Sequence, residues 1–215
     1  MKKKRKTATE RRIEKDLLGI IIFVGFLLVI YFVASSIFQG LNEFEYRGLS
    51  FTKERFDQLE VYHHYYFFKA PETKQLIRYN LYLKVDPREN KVPFEGDEII
   101  FPKEKTVYIG IDTSEIRKCD EGTIGIATMT AFLRDNQLDV ISGTNDFVET
   151  GLFPDFNYIT CQKYSYNPVI SFVKGQETSI NSSGNCYTIT IGPECNIVEA
   201  VEKFMVESIV HSRQD

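Results

Sequence analysis

Four cysteines are the residues of this 215-residue sequence whose type and number point most directly to chemistry. An even number of cysteines is typical of disulfide-bonded domains outside the cytoplasm, and four cysteines allow three pairings. Cys119 and Cys195 each follow a predicted strand and precede a predicted helix, so parallel strands would bring both to one edge of a sheet. This order favours Cys119–Cys195 together with Cys161–Cys186. A close pairing of Cys186 with Cys195 is the alternative.

Metal coordination is the competing use of cysteines, and the sequence does not favour it. There is no C-x-x-C pair, and the three histidines are His63, His64 and His211. Because neighbouring residues of a strand point to opposite faces, His63 and His64 would not share an ion. No Walker motif or G-x-G-x-x-G follows a predicted strand. We therefore predict no metal and no cofactor.

Asp112 is the residue best placed for catalysis. It ends the apolar strand predicted at 107–111, on the edge where open α/β sheets place their sites. The run D-T-S-E at 112–115 also fits a helix N-cap, which is the commoner use of such a run. Asp86 and Arg88 lie on either side of a proline and would form a turn or hold a ligand carboxylate. An exported hydrolase or transferase with its site near Asp112 is the alternative functional hypothesis.

Two further features concern the protein surface. Asn181-Ser182-Ser183 is an N-x-S sequon between two predicted strands, which makes Asn181 a candidate glycosylation site. The run 62–68 consists of Tyr, His and Phe only. It suits a contact surface near a membrane interface, although ordinary strand packing explains most of it.

The N-terminal segment predicts a membrane anchor. Residues 17–42 contain no charged side chain, and a helix of roughly 20 apolar residues crosses the ~30 Å hydrocarbon layer. Residues 1–16 carry eight basic and three acidic side chains, so the positive-inside rule places them in the cytoplasm. The prediction is a basic tail at 1–16, a single-pass transmembrane signal-anchor at 17–39, and a globular domain at 44–215 outside the cell membrane. A cleaved signal peptide is the alternative and would export the same domain.

The charge of the rest of the chain excludes one class of partner. Beyond residue 16 the chain carries 18 basic and 27 acidic residues, a net charge of −9. A nucleic-acid-binding domain carries the opposite sign. The predicted partners are the lipid bilayer and a protein of the cell envelope, and the sequence does not predict an oligomeric state.

The fold class is predicted as α/β or α+β, with one mixed sheet, a leading β-meander and about two helices. Period-two alternation over 44–85 predicts the meander. Apolar residues at spacings of three and four predict a helix at 122–133 and an amphipathic helix at 197–210. The remaining predicted strands are 99–101, 106–111, 138–141, 156–161, 169–173 and 186–191.

Short motifs spread over the domain carry a resemblance to a family. They are F-E-Y-x-G-L-x-F at 44–51, Y-N-L-Y-L at 79–83 before D-P-R at 86–88, I-T-C at 159–161, P-V-I at 168–170, and C-Y at 186–187 leading to Cys195. With these motifs the chain resembles uncharacterised archaeal single-pass envelope proteins with an exported cysteine-containing domain. The resemblance implies an archaeal cell membrane as the location and implies no activity. The leading hypothesis is a membrane-anchored, non-enzymatic binding or interaction module of the cell envelope.

Overall fold

The computed structural model describes residues 8–70, 73–102 and 105–212. The chain divides into two compact units, residues 1–44 and residues 45–215. The first unit contains one long helix, α1 (Ala8–Asn42). This helix begins inside the predicted basic tail, whose residues 1–7 lie outside the described part of the chain.

The anchor predicted at 17–39 is wrong. Among the described residues, no helix combines the length and the apolar character needed to cross a membrane. The strongly apolar run covers only 17–33, which gives about 25 Å of helix against the ~30 Å of a bilayer core. Polar residues such as Ser35, Ser36 and Gln39 follow that run.

A four-stranded antiparallel sheet opens the second unit, with its strands in the order β1-β2-β3-β4. The strands are β1 (Glu43–Tyr46), β2 (Leu49–Phe56), β3 (Leu59–Lys69) and β4 (Leu76–Leu83). Leu49, Phe51, Leu81 and Leu83 are fully buried on its inner face. The alternation of buried and exposed side chains therefore leaves this sheet with one packed face and one outer face.

A six-stranded mixed sheet forms a second layer, in the order β5-β9-β10-β8-β6-β7. Strands β10, β8, β6 and β7 run parallel, β9 is antiparallel to β10, and β5 is parallel to β9. The strands are β5 (Phe94–Gly96), β6 (Val107–Ile111), β7 (Val140–Thr144), β8 (Val169–Lys174), β9 (Ser179–Ser183) and β10 (Cys186–Ile191).

Two helices, α3 (Gly122–Asp135) and α5 (Ile197–Ser212), lie between the two sheets. The remaining helices are α2 (Thr113–Ile116) and α4 (Phe147–Leu152). Thirteen of the sixteen residues of α5 are buried. Phe204 of α5 meets Tyr187 of β10 with ring centroids 5.7 Å apart, while Glu202 binds backbone amides just after β4. Helix α5 therefore joins the cores of both sheets.

Helix α3 lies beside α5 in the same layer. A Cβ on Gly125 of α3 would stand 2.8 Å from the Ile197 side chain, so the two helices approach closely there. Phe132 of α3 packs edge-on against Tyr79 of β4, with centroids 5.9 Å apart. The domain has three layers: the four-stranded sheet, the helix pair, and the six-stranded sheet.

The predicted architecture of one mixed sheet with about two helices is therefore wrong. The structure has two separate sheets and five helices in its described residues. Helical periodicity identifies one apolar face, whereas α5 is buried on nearly all sides and needs a layer on each. Helices α2 and α4 contain four and six residues, too few to show a periodic pattern.

Two predicted strands are also absent from the described residues. Residues 156–161 form a single bridge, between Tyr158 and Thr144, and otherwise cross the outer side of β6 and β7 as irregular chain. Residues 99–101 are irregular as well, and the Ile99 amide donates to Nδ1 of His211 on α5. Both segments are apolar because they cover core side chains. A short apolar run of this kind has the same sequence pattern as a buried strand.

A substitution at Gly143 of β7 tests how residues 156–161, which we call the covering segment, pack on this strand. A Cβ at this position would overlap the carbonyl oxygen of Asn157, so Gly143→Ala must displace backbone. We expect a loss of about 1–3 kcal/mol in the free energy of unfolding.

Gly151 of α4 is the matched control, because a Cβ added there would meet no atom within 4 Å. Gly151→Ala should be neutral or stabilising, since alanine favours helix more than glycine does. Urea denaturation measures both; equal effects would contradict the described packing.

Candidate functional site

The carboxyl edge of the parallel strands is where a site is most expected. After β6 the chain turns toward β7 on one side, and after β8 it turns toward β9 and β10 on the other. Ligands of open α/β sheets bind where the connections diverge in this way. Here the divergence lies between β6 and β8, directly beside Asp112.

Asp112 acts there as a helix cap. Its Oδ1 accepts a hydrogen bond from the Glu115 amide at 3.1 Å and from the Ser114 hydroxyl at 2.9 Å. Its own amide donates to the carbonyl of Phe172 on β8 at 3.2 Å. These are the contacts of an N-cap, the structural alternative that the sequence offered for this residue.

Glu149, a residue that the sequence did not single out, lies at this edge between the ends of β6 and β7. Its buried carboxylate accepts hydrogen bonds from the hydroxyls of Thr113 and Thr144. Burial disfavours its charge, but these bonds and those from the backbone amides of Thr113 and Ser114 hold the pKa of Glu149 below its ordinary value. The carboxylate therefore links the start of α2 to the end of β7. Only the tertiary fold brings Glu149 here, so no local pattern could have revealed it.

A cleft of about 180 Å³ remains beside α2, lined by Glu115, Lys118, Lys174, Gly192 and the Cys119–Cys195 bridge among others. The two oxygens of Glu115 accept hydrogen bonds from Lys118 at 2.5 Å and from Lys174 at 2.6 Å. These bonds lower the pKa of Glu115 to about 2. All three charges of the cleft are therefore engaged with one another, which leaves none of them free to act on a substrate.

A second cleft, of about 250 Å³, shares Lys118 and Cys195 with the first and is acidic. Its carboxylates are Asp120, Glu121, Glu194 and Glu199. Within the part of the chain that the structure describes, no group of three or more His, Cys, Asp or Glu residues is arranged to hold a metal ion.

Two disulfides lie at opposite ends of the parallel strands of the six-stranded sheet. Cys119 pairs with Cys195, with Cα atoms 5.3 Å apart, and Cys161 pairs with Cys186, with Cα atoms 5.5 Å apart. This is the pairing that the order of strands and helices favoured. The first bridge ties the α2–α3 connection to the start of α5, and the second ties the covering segment to the start of β10.

Asp86 and Arg88 form a turn rather than a ligand site. Arg88 binds the Asp86 carboxylate through Nε and Nη2 at 2.6–3.2 Å, and its amide also donates to Asp86. Burial opposes the charge of Asp86, but the hydrogen bonds from Arg88 keep its pKa below the ordinary value. This turn follows β4 and Asp112 follows β6, and no hydrogen bond among the described residues joins Asp112 to Asp86 or Arg88, the three candidates of the alternative enzymatic hypothesis. None of them lines the two clefts described above.

The histidines are separated. His64 is buried on the inner face of β3, where Nδ1 donates to the Ser50 carbonyl at 2.8 Å. His63 lies on the outer face between Glu54 and Asn80, at 2.7 Å and 3.1 Å. His211 lies on α5 beside Glu207. The sequon residue Asn181 is exposed, but it lies within strand β9 rather than in the predicted connection between strands.

The outer face of the four-stranded sheet carries the largest set of exposed apolar side chains in the second unit. We call this set the aromatic face; its members are Phe56, Leu59, Tyr65, Phe67, Leu76 and Tyr82, each between 48% and 65% exposed. Cross-strand register places them on one side, opposite the Tyr66 and Tyr79 side chains that face α3. His63 stacks on Tyr82 with centroids 4.5 Å apart, and the Arg78 guanidinium lies 4.2 Å from the centre of the Tyr65 ring.

The aromatic face extends along the whole of β3. Phe56 and Leu59 lie at the β2–β3 turn, and Phe67 and Leu76 lie near the β3–β4 connection. Strand β3 has eleven residues, so these ends are about 30 Å apart. The sequence indicated this feature through the aromatic run at 62–68, although only alternate residues of that run face outward.

Comparisons with known proteins do not extend this description. No protein-family model, no curated protein and no solved structure matches the chain. The resemblance to archaeal envelope proteins therefore stays a prediction that is carried by its short motifs alone.

Proposed function

We propose that residues 45–215 form a binding domain of an exported protein, and that the aromatic face is the surface with which it binds a protein of the cell envelope. The observation that carries this proposal is the concentration of half-exposed Tyr, Phe and Leu on one sheet face, with Arg78 among them. Aromatic residues and arginine are the side chains most enriched at the energetic centres of protein interfaces.

The extent of the aromatic face supports a binding role. A fully exposed aromatic side chain presents roughly 150–250 Å², so six half-exposed side chains leave on the order of 500 Å² of apolar surface in water. That value lies at the upper end of the largest patch on a typical monomer, about 300–600 Å². A standard interface covers about 800 Å² on each partner, so the aromatic face with its polar rim has the right size.

The two disulfides support a location outside the cytoplasm. Both bridges lie within the second unit, and such bonds persist in oxidising compartments, whereas cytosolic thiols are kept reduced. Among the described residues there is no free cysteine. Binding is preferred over hydrolysis or group transfer because Asp112, Asp86 and Arg88 are all engaged in caps and turns.

Substitutions on the aromatic face test this proposal. The full chain and its variants are incubated with a detergent extract of the source cell envelope, and the partner that the wild type retains is identified and titrated. We expect Phe67→Ser and Tyr65→Ser each to weaken this binding by about tenfold or more, since truncation of a central aromatic residue costs more than 1 kcal/mol. Phe147→Ser is the matched control, because Phe147 is 72% exposed on α4 rather than on this sheet.

The outcomes separate the two functional hypotheses. A partner that Phe147→Ser retains and both sheet variants lose supports the aromatic face as the binding surface. Equal binding by all variants would contradict it. Loss of binding in Asp112→Asn alone would move the site to the carboxyl edge of the six-stranded sheet.

A further inference from the structure

Strand β4 forms an open edge of the four-stranded sheet. It pairs with β3 from Leu76 to Leu83, and no other strand of the described residues pairs with its opposite side. Alternate residues of an antiparallel strand direct their N–H and C=O groups away from the paired neighbour. About half of the backbone groups of this eight-residue strand therefore face outward.

The other sheet edges are short or covered. Strand β1 has four residues, two of them glutamates, and β5 has three residues. Strand β7 has five residues, and its last residue is covered by residues 157–159, because the Thr144 amide donates to Asn157 and the Thr144 carbonyl accepts from Ile159. Proteins ordinarily protect their edges by such means. Strand β4, with eight residues, is the longest edge strand among the described residues.

Strand β4 also has few of the features that prevent pairing. It contains no proline, no lysine and no residue with positive φ that would mark a bulge. Its one charged side chain, Arg78, lies over the Tyr65 ring of its own sheet. An edge of this length and polarity is suited to accept another strand.

We propose that β4 pairs antiparallel with β4 of a second copy of this chain, around a two-fold axis at Asn80. This register keeps each outer side chain on the outer side and each inner one on the inner side. It places Arg78 of one copy opposite Tyr82 of the other, a cation–π pairing of the kind that Arg78 already makes with Tyr65.

The charge pattern favours a second copy in this arrangement. Arg78 does not meet its own symmetry mate, as it would in an in-register parallel pair, where like charges repel. Asn80 meets Asn80, and an amide both donates and accepts a hydrogen bond, so it is complementary to itself. The pairing joins two four-stranded sheets into one of eight strands and places their aromatic faces side by side. Binding of another protein at the aromatic face is not required for it.

A cysteine at the two-fold axis tests this inference. The full-length Asn80→Cys variant is produced in an oxidising compartment and examined on a non-reducing gel. We expect its mass to double and to return to the monomer value on reduction. Asn181→Cys is the matched control, since Asn181 is also an exposed strand asparagine but lies in β9, which is paired on both sides. It should remain monomeric on the gel.

Each other outcome overturns the proposal. Absence of a dimer in Asn80→Cys, equal dimer formation in both variants, or a disulfide adduct between Asn80→Cys and a different protein would each contradict self-pairing of β4. Asn80→Lys provides a second measurement that needs no added thiol. It places two ammonium groups at the axis without touching the core, so it should lower the dimer fraction in light scattering of the full chain. An unchanged dimer fraction would also overturn the proposal.

Discussion

Replacing Cys119 and Cys195 together by serine should lower the free energy of unfolding by about 4.5 kcal/mol, the largest effect that we expect from any pair of substitutions. The bridge closes a loop across 76 residues of sequence separation, and the loss of loop-closure entropy in the unfolded chain grows with that length. It also holds the first turn of α5, the helix that both sheets need for their cores. Guanidinium denaturation of the oxidised proteins measures the difference.

The second bridge provides the internal control. Cys161 and Cys186 are only 25 residues apart, so their replacement by serine should cost about 3.5 kcal/mol, less than the first pair. A larger loss in the free energy of unfolding for the second pair would contradict the position of α5 between the two sheets. Unchanged stability on reduction of the wild type would contradict the contribution of both bridges.

Wild-type stability should fall as the pH rises from about 4.5 to 7, and Glu202→Gln should remove this fall. Burial raises the pKa of Glu202 to about 7, although the amides of Lys84 and Val85 donate to its two oxygens at 2.6 Å and 3.0 Å and oppose the shift. In the unfolded chain this carboxyl titrates near its ordinary value of 4.5. Between these two values the folded state binds more protons than the unfolded state, so stability decreases with pH.

The size of the effect follows from the width of that window. At about 1.4 kcal/mol per pKa unit, the wild type should lose on the order of 3 kcal/mol between pH 4.5 and 7 and little above it. Glu149 and Asp86, whose pKa values are lowered, act with the opposite sign and only below their ordinary values. Their contributions disappear as the pH falls, outside the window of Glu202.

Denaturation at a series of pH values tests the assignment to Glu202. Glutamine has no charge in this pH range, so the Glu202→Gln variant should give a flat profile. Glu194→Gln, at an exposed position, should retain the wild-type slope. A Glu202→Gln profile that runs parallel to the wild-type profile would show that another group produces the slope.

The order of the cysteines and their neighbouring elements carried real information about tertiary structure. Cys119 and Cys195 lie where two chain segments leave the same sheet edge, and parallel strands require such segments to be close. The sequence also predicts the helix cap at Asp112 and the turn of Asp86 with Arg88, because those contacts span at most three residues.

Features that depend on contacts between residues far apart in the sequence could not be predicted from it. Glu149 reaches Thr113 across 36 residues, and Glu202 reaches Lys84 across 118, so neither leaves a local pattern. The separation into two sheets was missed for a related reason: the apolar face of α5 was visible, but its burial on the remaining sides depends on a second layer. Which residues of the sheet lie together on the exposed aromatic face follows only from the cross-strand register.

Photo-crosslinking from the aromatic face in intact cells tests the proposed function most directly. A benzophenone side chain is introduced at Phe67 in one variant and at Phe147 in another, both at positions more than half exposed. We expect a discrete crosslinked protein from Phe67, on chains whose disulfides are oxidised, and none from Phe147. No adduct from Phe67, or the same adducts from both positions, would contradict the aromatic face as the binding surface.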